Sequence, residues 1–227
     1  MNLKILSLVI IGVCILLPDV CYAFLEKDVH LLNMQNGLAD NTVSAVYKDK
    51  EGFIWFGTRN GLSRYDGRRI TNFERSRSYP SISNLKEVFD GVLAFVDNGV
   101  FSAFDLKKER FLSVVSSSGQ GIPSRGMLQK NDSLVWVISG SELHLMKRCA
   151  SKEGELRLRV QEKYTGWNNQ DNLLVAITYS SDKKSICLID EKGRIILLDA
   201  TNLNSFRVID LLSLIHISEP TRLRRIS

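Results

Sequence analysis

From Phe24 to Leu211 the apolar residues fall in short runs, broken every few positions by Gly, Asn and Asp. In "GFIWFGTRNGLSRYDG", Gly52 to Gly67, Phe53 and Trp55 alternate with Ile54 and Phe56. Residues two apart share one face of a strand, so this alternation predicts a half-buried strand. Asn60-Gly61 and Asp66-Gly67 follow, the residue pairs that supply the positive φ angles of tight hairpins. Sustained apolar spacing at i, i+3, i+4, i+7 is lacking over the same span, which argues against long amphipathic helices.

The pattern recurs. Thr42 to Glu74 runs apolar strand, turn, apolar strand, Asn-Gly, short strand, Asp, basic turn and a strand ending near Phe. Ser83 to Val114, "SNLKEVFDGVLAFVDNGVFSAFDLKKERFLSV", repeats that order, matching Asn60-Gly61 with Asn98-Gly99, Asp66 with Asp105 and Trp55 with Leu93. A looser third copy, Ser133 to Arg148, places Trp136 where Trp55 sits, and a fourth restores Gly193 and Asp199, with Cys187 at the Trp position. Four short strands repeating every ~40 to 50 residues is the signature of a β-propeller blade. The expected fold is all-β, a partial β-propeller of about four blades of four-stranded antiparallel sheet in an open arc. Its repeats fall near 31–74, 81–114, 124–160 and 172–211. Recurrence assigns Trp55, Gly61, Asp66, Gly99, Trp136 and Gly193 to blade construction, and Gly57, lost in the later units, is placed with them.

With 44% hydrophobic and 24% charged residues, the composition is that of a folded domain rather than a disordered chain. The net charge is +5, but Lys4 and Asp19 cancel at the start, and Arg222, Arg224, Arg225 and Glu219 give +2 at the end, leaving +3 for the middle. That balance predicts no nucleic-acid contact. The ends read differently from the middle. Lys4 precedes the unbroken apolar run Ile5 to Leu17, and "CYA" at Cys21 to Ala23 has the small residues of a cleavage site. Residues 1–23 are therefore expected to be a secretory signal. Leu212 to Arg222, "LSLIHISEPTR", matches residue for residue a translated transposon-type sequencing adapter, so 212–227 are expected to be an artefact and not natural protein. Export would leave Cys149 and Cys187 in an oxidising compartment, paired or as two buried thiols. No cysteine or histidine spacing suggests a metal site, and no cofactor is expected.

Leu31 to Glu74 resembles the two-component regulator propeller repeat. The residues that carry the resemblance are Gly37-Leu38, Asn41, Val43, Val46, Asp49, Gly52, Trp55, Gly57-Thr58, Gly61-Leu62, Arg64 and Asp66. The later units match only in outline. The resemblance implies the periplasmic sensor region of a hybrid two-component sensor histidine kinase and response regulator. Such a parent would be homodimeric and anchored in the inner membrane by a downstream helix, with further blades and a kinase beyond this chain. The family senses breakdown products of complex polysaccharides, so an oligosaccharide is the implied ligand.

Sugar-binding loops favour aromatic and amide side chains. The expected ligand residues are Arg59, Arg64, Tyr79, Trp167, Asn168 and Asn169, with Arg75 and Arg77 as further exposed loop candidates. The alternatives are an exported propeller acting as a protein-interaction scaffold and, third, a propeller glycosidase or lyase. Catalysis would need facing carboxylates roughly 5 to 9.5 Å apart. Asp49, Asp66, Asp97, Asp105 and Asp199 instead fall at turns, where Asp commonly bonds its own backbone. His30 and His144 have no evident acid partner, and no catalytic residue is expected.

Overall fold

The computed structural model describes residues 31–74, 82–167 and 172–210. The expected signal, the adapter-like tail, His30, Arg75, Arg77, Tyr79, Asn168 and Asn169 lie outside these residues. The described chain is all-β apart from one 3-10 turn at Met34–Asn36. Blade 1 comprises β1 (Val43–Lys48), β2 (Ile54–Thr58), β3 (Gly61–Tyr65) and β4 (Ile70–Glu74). Blade 2 comprises β5 (Ile82–Phe89), β6 (Val92–Asp97), β7 (Val100–Asp105) and β8 (Arg110–Ser116). Blade 3 comprises β9 (Gly126–Asn131), β10 (Leu134–Ser139), β11 (Glu142–Cys149) and β12 (Glu155–Tyr164). Blade 4 comprises β13 (Leu174–Tyr179), β14 (Ser185–Asp190), β15 (Arg194–Asp199) and β16 (Phe206–Asp210).

Consecutive strands pair antiparallel within each blade. The first strands lie side by side, β1 against β5, β5 against β9 and β9 against β13, which makes them the inner rim of an arc. Antiparallel order then puts the β1–β2 and β3–β4 turns of every blade on one face, here the upper. The central hairpins lie on the lower face, where β4, β8 and β12 end and β5, β9 and β13 begin.

Three apolar layers fill the joints. Trp55, Leu62 and Ile82 meet Leu93, Phe95 and Phe104 between blades 1 and 2. Val92, Ala94 and Val96 meet Val135, Val137 and Met146 between blades 2 and 3. Trp136, Ile138, Leu143 and Leu145 meet Ile186, Leu188 and Ile196 between blades 3 and 4. Each fully buried side chain of this size contributes roughly 1.5–3 kcal/mol. These layers, more than strand propensity, hold the blades together.

Two features depart from the sequence reading. The first is register. Thr58 pairs with Gly61 across the first central hairpin and Asp97 pairs with Val100 across the second, so Trp55 corresponds to Ala94, not Leu93. One residue of slip exchanges the faces of a strand. Leu93 accordingly looks back at blade 1, while Ala94 looks forward to blade 3, as Trp55 looks forward to blade 2. The two glycines do different work. Asn98 and Gly99 both have positive φ and form the second hairpin's loop. Gly61, at φ +121°, is already in β3, and a Cβ there would stand 2.5 Å from the Phe73 carbonyl oxygen.

The second departure is that blades 2 and 3 are not separate sheets. Their outermost strands, β8 and β12, pair in parallel, Glu155 to Leu158 against Ser113 to Ser116. The result is one eight-stranded sheet folded over the apolar layer between them. Glu153, in the turn before β12, accepts from Lys108 Nζ at 2.7 Å and from Arg110 at 2.9 Å, which tethers the two blades at the upper face.

Cys149 and Cys187 are free thiols. Burial pushes the Cys187 thiol up from its usual pKa.

Candidate ligand-binding site

Blade 1 shows what its dense sequence pattern is for. Gly37 ends the 3-10 turn at φ +100°, and Leu38 is buried. The Gly37–Ala39 backbone is held to the blade by Asn72 Nδ2 on the Gly37 carbonyl, 2.8 Å, and Asn60 Nδ2 on the Ala39 carbonyl, 3.1 Å. Asn41 Oδ1 accepts the Met34 N–H at 2.8 Å. The Asp49 carboxylate accepts the Glu51 and Phe53 N–H groups through one oxygen, at 3.0 and 2.9 Å. Its other oxygen accepts the Trp55 indole N–H at 2.7 Å, so one side chain both shapes the turn and fixes the ring.

Trp55 is 1% exposed; its ring stacks on Phe73 at 5.6 Å and meets Phe104 tilted at 59°, 5.5 Å away. Gly57 is small because blade 2 touches it: a Cβ would meet Ile82 Cγ2 at 2.5 Å. Thr58 donates its hydroxyl to the Gly61 carbonyl at 3.0 Å and accepts the Asn60 N–H at 3.2 Å, tying the hairpin. Asp66 accepts the Arg68 and Arg69 N–H groups, and Asp105 and Asp199 do the same for the turns that follow them. Those backbone hydrogen bonds, with Arg69 the largest contributor, hold the Asp66 carboxyl below its usual pKa.

At the upper face, where blades 1 and 2 meet, these elements wall a cleft of about 140 Å³ around Phe53, Trp55 and Arg64. The Arg64 guanidinium lies 4.9 Å from the Phe53 ring centroid, 5.5 Å from Phe73 and 5.6 Å from Trp55. It also reaches across to Glu109 in blade 2, 2.6 Å away. Lys50 pairs with Glu87 at 3.1 Å and Lys107 with Asp90 at 3.1 Å. The hydrogen bond from Lys107 holds the Asp90 carboxyl below its usual range, and the one to Glu87 pushes Lys50 up. The cleft therefore presents a half-buried Phe53 beneath the Arg64 guanidinium and a rim of mutually paired charges.

The three sequence-expected ligand residues that the structure describes, Arg59, Arg64 and Trp167, do not converge. Arg64 belongs to this upper cleft. Arg59 is exposed on the lower-face hairpin, and Trp167 lies beyond β12 on the same lower side. Trp167 is expected on an exposed loop, yet it is 7% exposed and sits in the layer between blades 3 and 4, with Phe206 edge-on at 6.5 Å. Its large apolar ring gains more from that layer than from solvent. His144 does have an acid partner. Its Nε2 is 2.6 Å from Glu142 Oε2, and hydrogen bonding to His144 holds the Glu142 carboxyl down. The signal was the i, i+2 spacing along one strand, which puts both side chains on one face. The charges supplied by blade 2, Glu87, Asp90, Lys107 and Glu109, carry no local motif and become a site only when the blades meet.

A toothed arc of four-stranded sheets, each joint filled by apolar side chains from both blades, is the architecture of a β-propeller. Residues 37–60, which run through β1 and β2 of blade 1, match the model of the two-component regulator propeller. The chain is similar in structure to the extracellular domain of a putative hybrid two component system, BT4673, from B. thetaiotaomicron (TM-score 0.60, 14% identity, covering 82% of this chain and 28% of that one). It is also similar to the extracellular domain of a second putative hybrid two component system of that organism, BT3049 (TM-score 0.54, 19% identity, covering 79% and 26%). A third likeness is the β-propeller domain of Cps50 (Swd1) from Myceliophteria thermophila (TM-score 0.52, 16% identity, covering 74% and 55%). The chain thus spans about a quarter of the length of the first two structures. No curated protein matches it in sequence. Among the described residues, no helix is long and apolar enough to cross a membrane.

Proposed function

We propose that this chain is part of the extracytoplasmic ligand-binding region of a hybrid two-component signalling protein, and that its ligands are oligosaccharides released from polysaccharides. The observation that carries the reading is blade 1, where residues 37–60 match the two-component regulator propeller and Trp55 and Arg64 wall a cleft against the next blade. The likeness to extracellular domains of putative hybrid two component systems supports an exported location. In the parent, further blades would continue the arc and a membrane helix would lead to a histidine kinase. Ligand binding would bias the parent dimer between two arrangements by its differential affinity for them.

Reading the source gene past the Leu211 codon tests the architecture: more blades, one membrane span and a kinase support it, and a natural stop after Ser227 overturns it. Calorimetric titration of the purified chain with a panel of neutral and acidic disaccharides tests the ligand class. Heat of binding from any of them supports it, and silence across the panel overturns it.

A further inference from the structure

A second cleft sits at the upper face between blades 3 and 4, two joints along from the Arg64 cleft and built the same way. A tryptophan looks forward to the next blade, Trp136 in place of Trp55, and a cation lies over its ring, Lys130 Nζ at 4.8 Å from the centroid. The volume is about 500 Å³, inside the ~300–1,000 Å³ range usual for small-molecule sites. Its lining is Gln129, Lys130, Asn131, Tyr179, Lys183 and Ala200, with no carboxylate.

That charge balance is the opposite of the first cleft, where Lys50 and Lys107 both have acidic partners. Neither Lys130 nor Lys183 makes an ion pair among the described residues. The acids nearby are committed or point elsewhere. Asp182 accepts from Ser180 Oγ at 2.6 Å and Lys184 N at 3.0 Å, and Asp199 accepts from Thr201 and Asn202. Asp132 is exposed and does not line the cleft. Asn131 Oδ1 is occupied by the Ser133 and Leu134 N–H groups, which orients its amide and leaves the NH₂ as a donor. The Tyr179 phenol, whose pKa burial pushes up from its usual value, adds a hydroxyl to the lining. Lys183 is held in the left-handed region, at φ 57°, by a turn whose N–H bonds the Ser180 carbonyl. Backbone held in a sparsely populated region is a recurrent mark of functional positions.

Two unpaired ammonium groups, two amides and a phenol around one open cleft form a site for a sugar bearing a negative charge. We propose that the cleft between blades 3 and 4 binds an acidic saccharide, with Lys130 and Lys183 on its carboxylate or sulfate and Gln129, Asn131 and Tyr179 on its hydroxyls. The inference rests on the oligosaccharide reading above and narrows it to a charge class for this joint.

The test is calorimetric titration of the purified chain with digalacturonate, a sulfated disaccharide and neutral cellobiose, repeated with Lys130→Gln and Lys183→Asn. Asn tolerates the left-handed backbone, and far-UV circular dichroism checks both folds. Losing one charge-assisted contact is expected to weaken acidic binding about 10-fold, while cellobiose is unaffected. Tighter binding of digalacturonate assigns the site to uronates, and tighter binding of the sulfated sugar assigns it to sulfate esters. Cellobiose binding as tightly as both acidic sugars, or acidic binding that survives both substitutions, overturns this inference and leaves the oligosaccharide reading intact. No binding by any of the three overturns both.

Discussion

Gly57 offers a direct test of how the blades are locked. Its Cβ would stand 2.5 Å from Ile82 Cγ2, 3.1 Å from Ile82 Cβ and 3.2 Å from Ala45 Cβ. Ile82 is 1% exposed and opens β5, so it cannot swing into solvent; blade 2 must shift instead. Overpacking of this kind costs about 1–3 kcal/mol. For a chain of this size each kcal/mol lowers Tm by roughly 2–4 °C, so Gly57→Ala is expected to lose about 2–12 °C. Ile82→Ala alone leaves a cavity and costs about 2–5 kcal/mol. If the clash is the cause, Gly57→Ala should cost clearly less once Ile82 is Ala, which removes the 2.5 Å contact and leaves the 3.1 and 3.2 Å contacts to the two Cβ atoms. The pair should then show a coupling of at least ~1 kcal/mol in a double-mutant cycle. Thermal or urea unfolding of the four proteins reads this out. Additive losses would refute the steric argument and return Gly57 to an ordinary strand position.

Other outcomes follow from the same geometry. Asp49→Ala strands the buried Trp55 N–H and frees the turn it caps; the expected loss is about 1–3 kcal/mol, measured by urea unfolding, with Asp49→Asn closer to wild type. Glu153 is held below the usual carboxyl value of 4.5 first by its hydrogen bond from Lys108 and then by Arg110. A depressed folded pKa gives stability that is present above 4.5 and lost as the pH falls through the folded value. Glu153→Gln should therefore flatten the acid limb of a Tm-versus-pH curve, and an unchanged limb would remove Glu153 from the blade 2–3 tether. Edge strands β1 and β16 expose Val43, Val46, Phe206 and Val208. Because unpaired edges template association, light scattering should find oligomers, and a sharp monomer peak would contradict this.

The blade count and the all-β class were legible because alternation and turn glycines are local signals, and Asp66, Asp105 and Asp199 marked equivalent turns correctly. The hairpin register was not, since Asn60-Gly61 and Asn98-Gly99 look alike in sequence but place their glycines one residue apart in the hairpin. The structural reasons for Trp55 and Gly57 were legible as recurrence and motif, while the partner that makes Gly57 small, Ile82, lies in another blade. The clefts were the least legible part. Arg64 was singled out, but Lys130 comes from blade 3 and Tyr179 and Lys183 from blade 4, and nothing in their sequence neighbourhoods announces that they meet.

The seam between β8 and β12 divides the arc mechanically. A main-chain ladder joins blades 2 and 3 at their outer edges, whereas blade 1 meets blade 2, and blade 4 meets blade 3, through side chains and isolated hydrogen bonds. The middle therefore behaves as a stiff block carrying two softer wings. Both clefts sit at the wing joints. On the proposed reading, a ligand wedged into either one would act on a wing joint with the middle block as its lever arm, and a small displacement at the ligand would grow with distance along the arc.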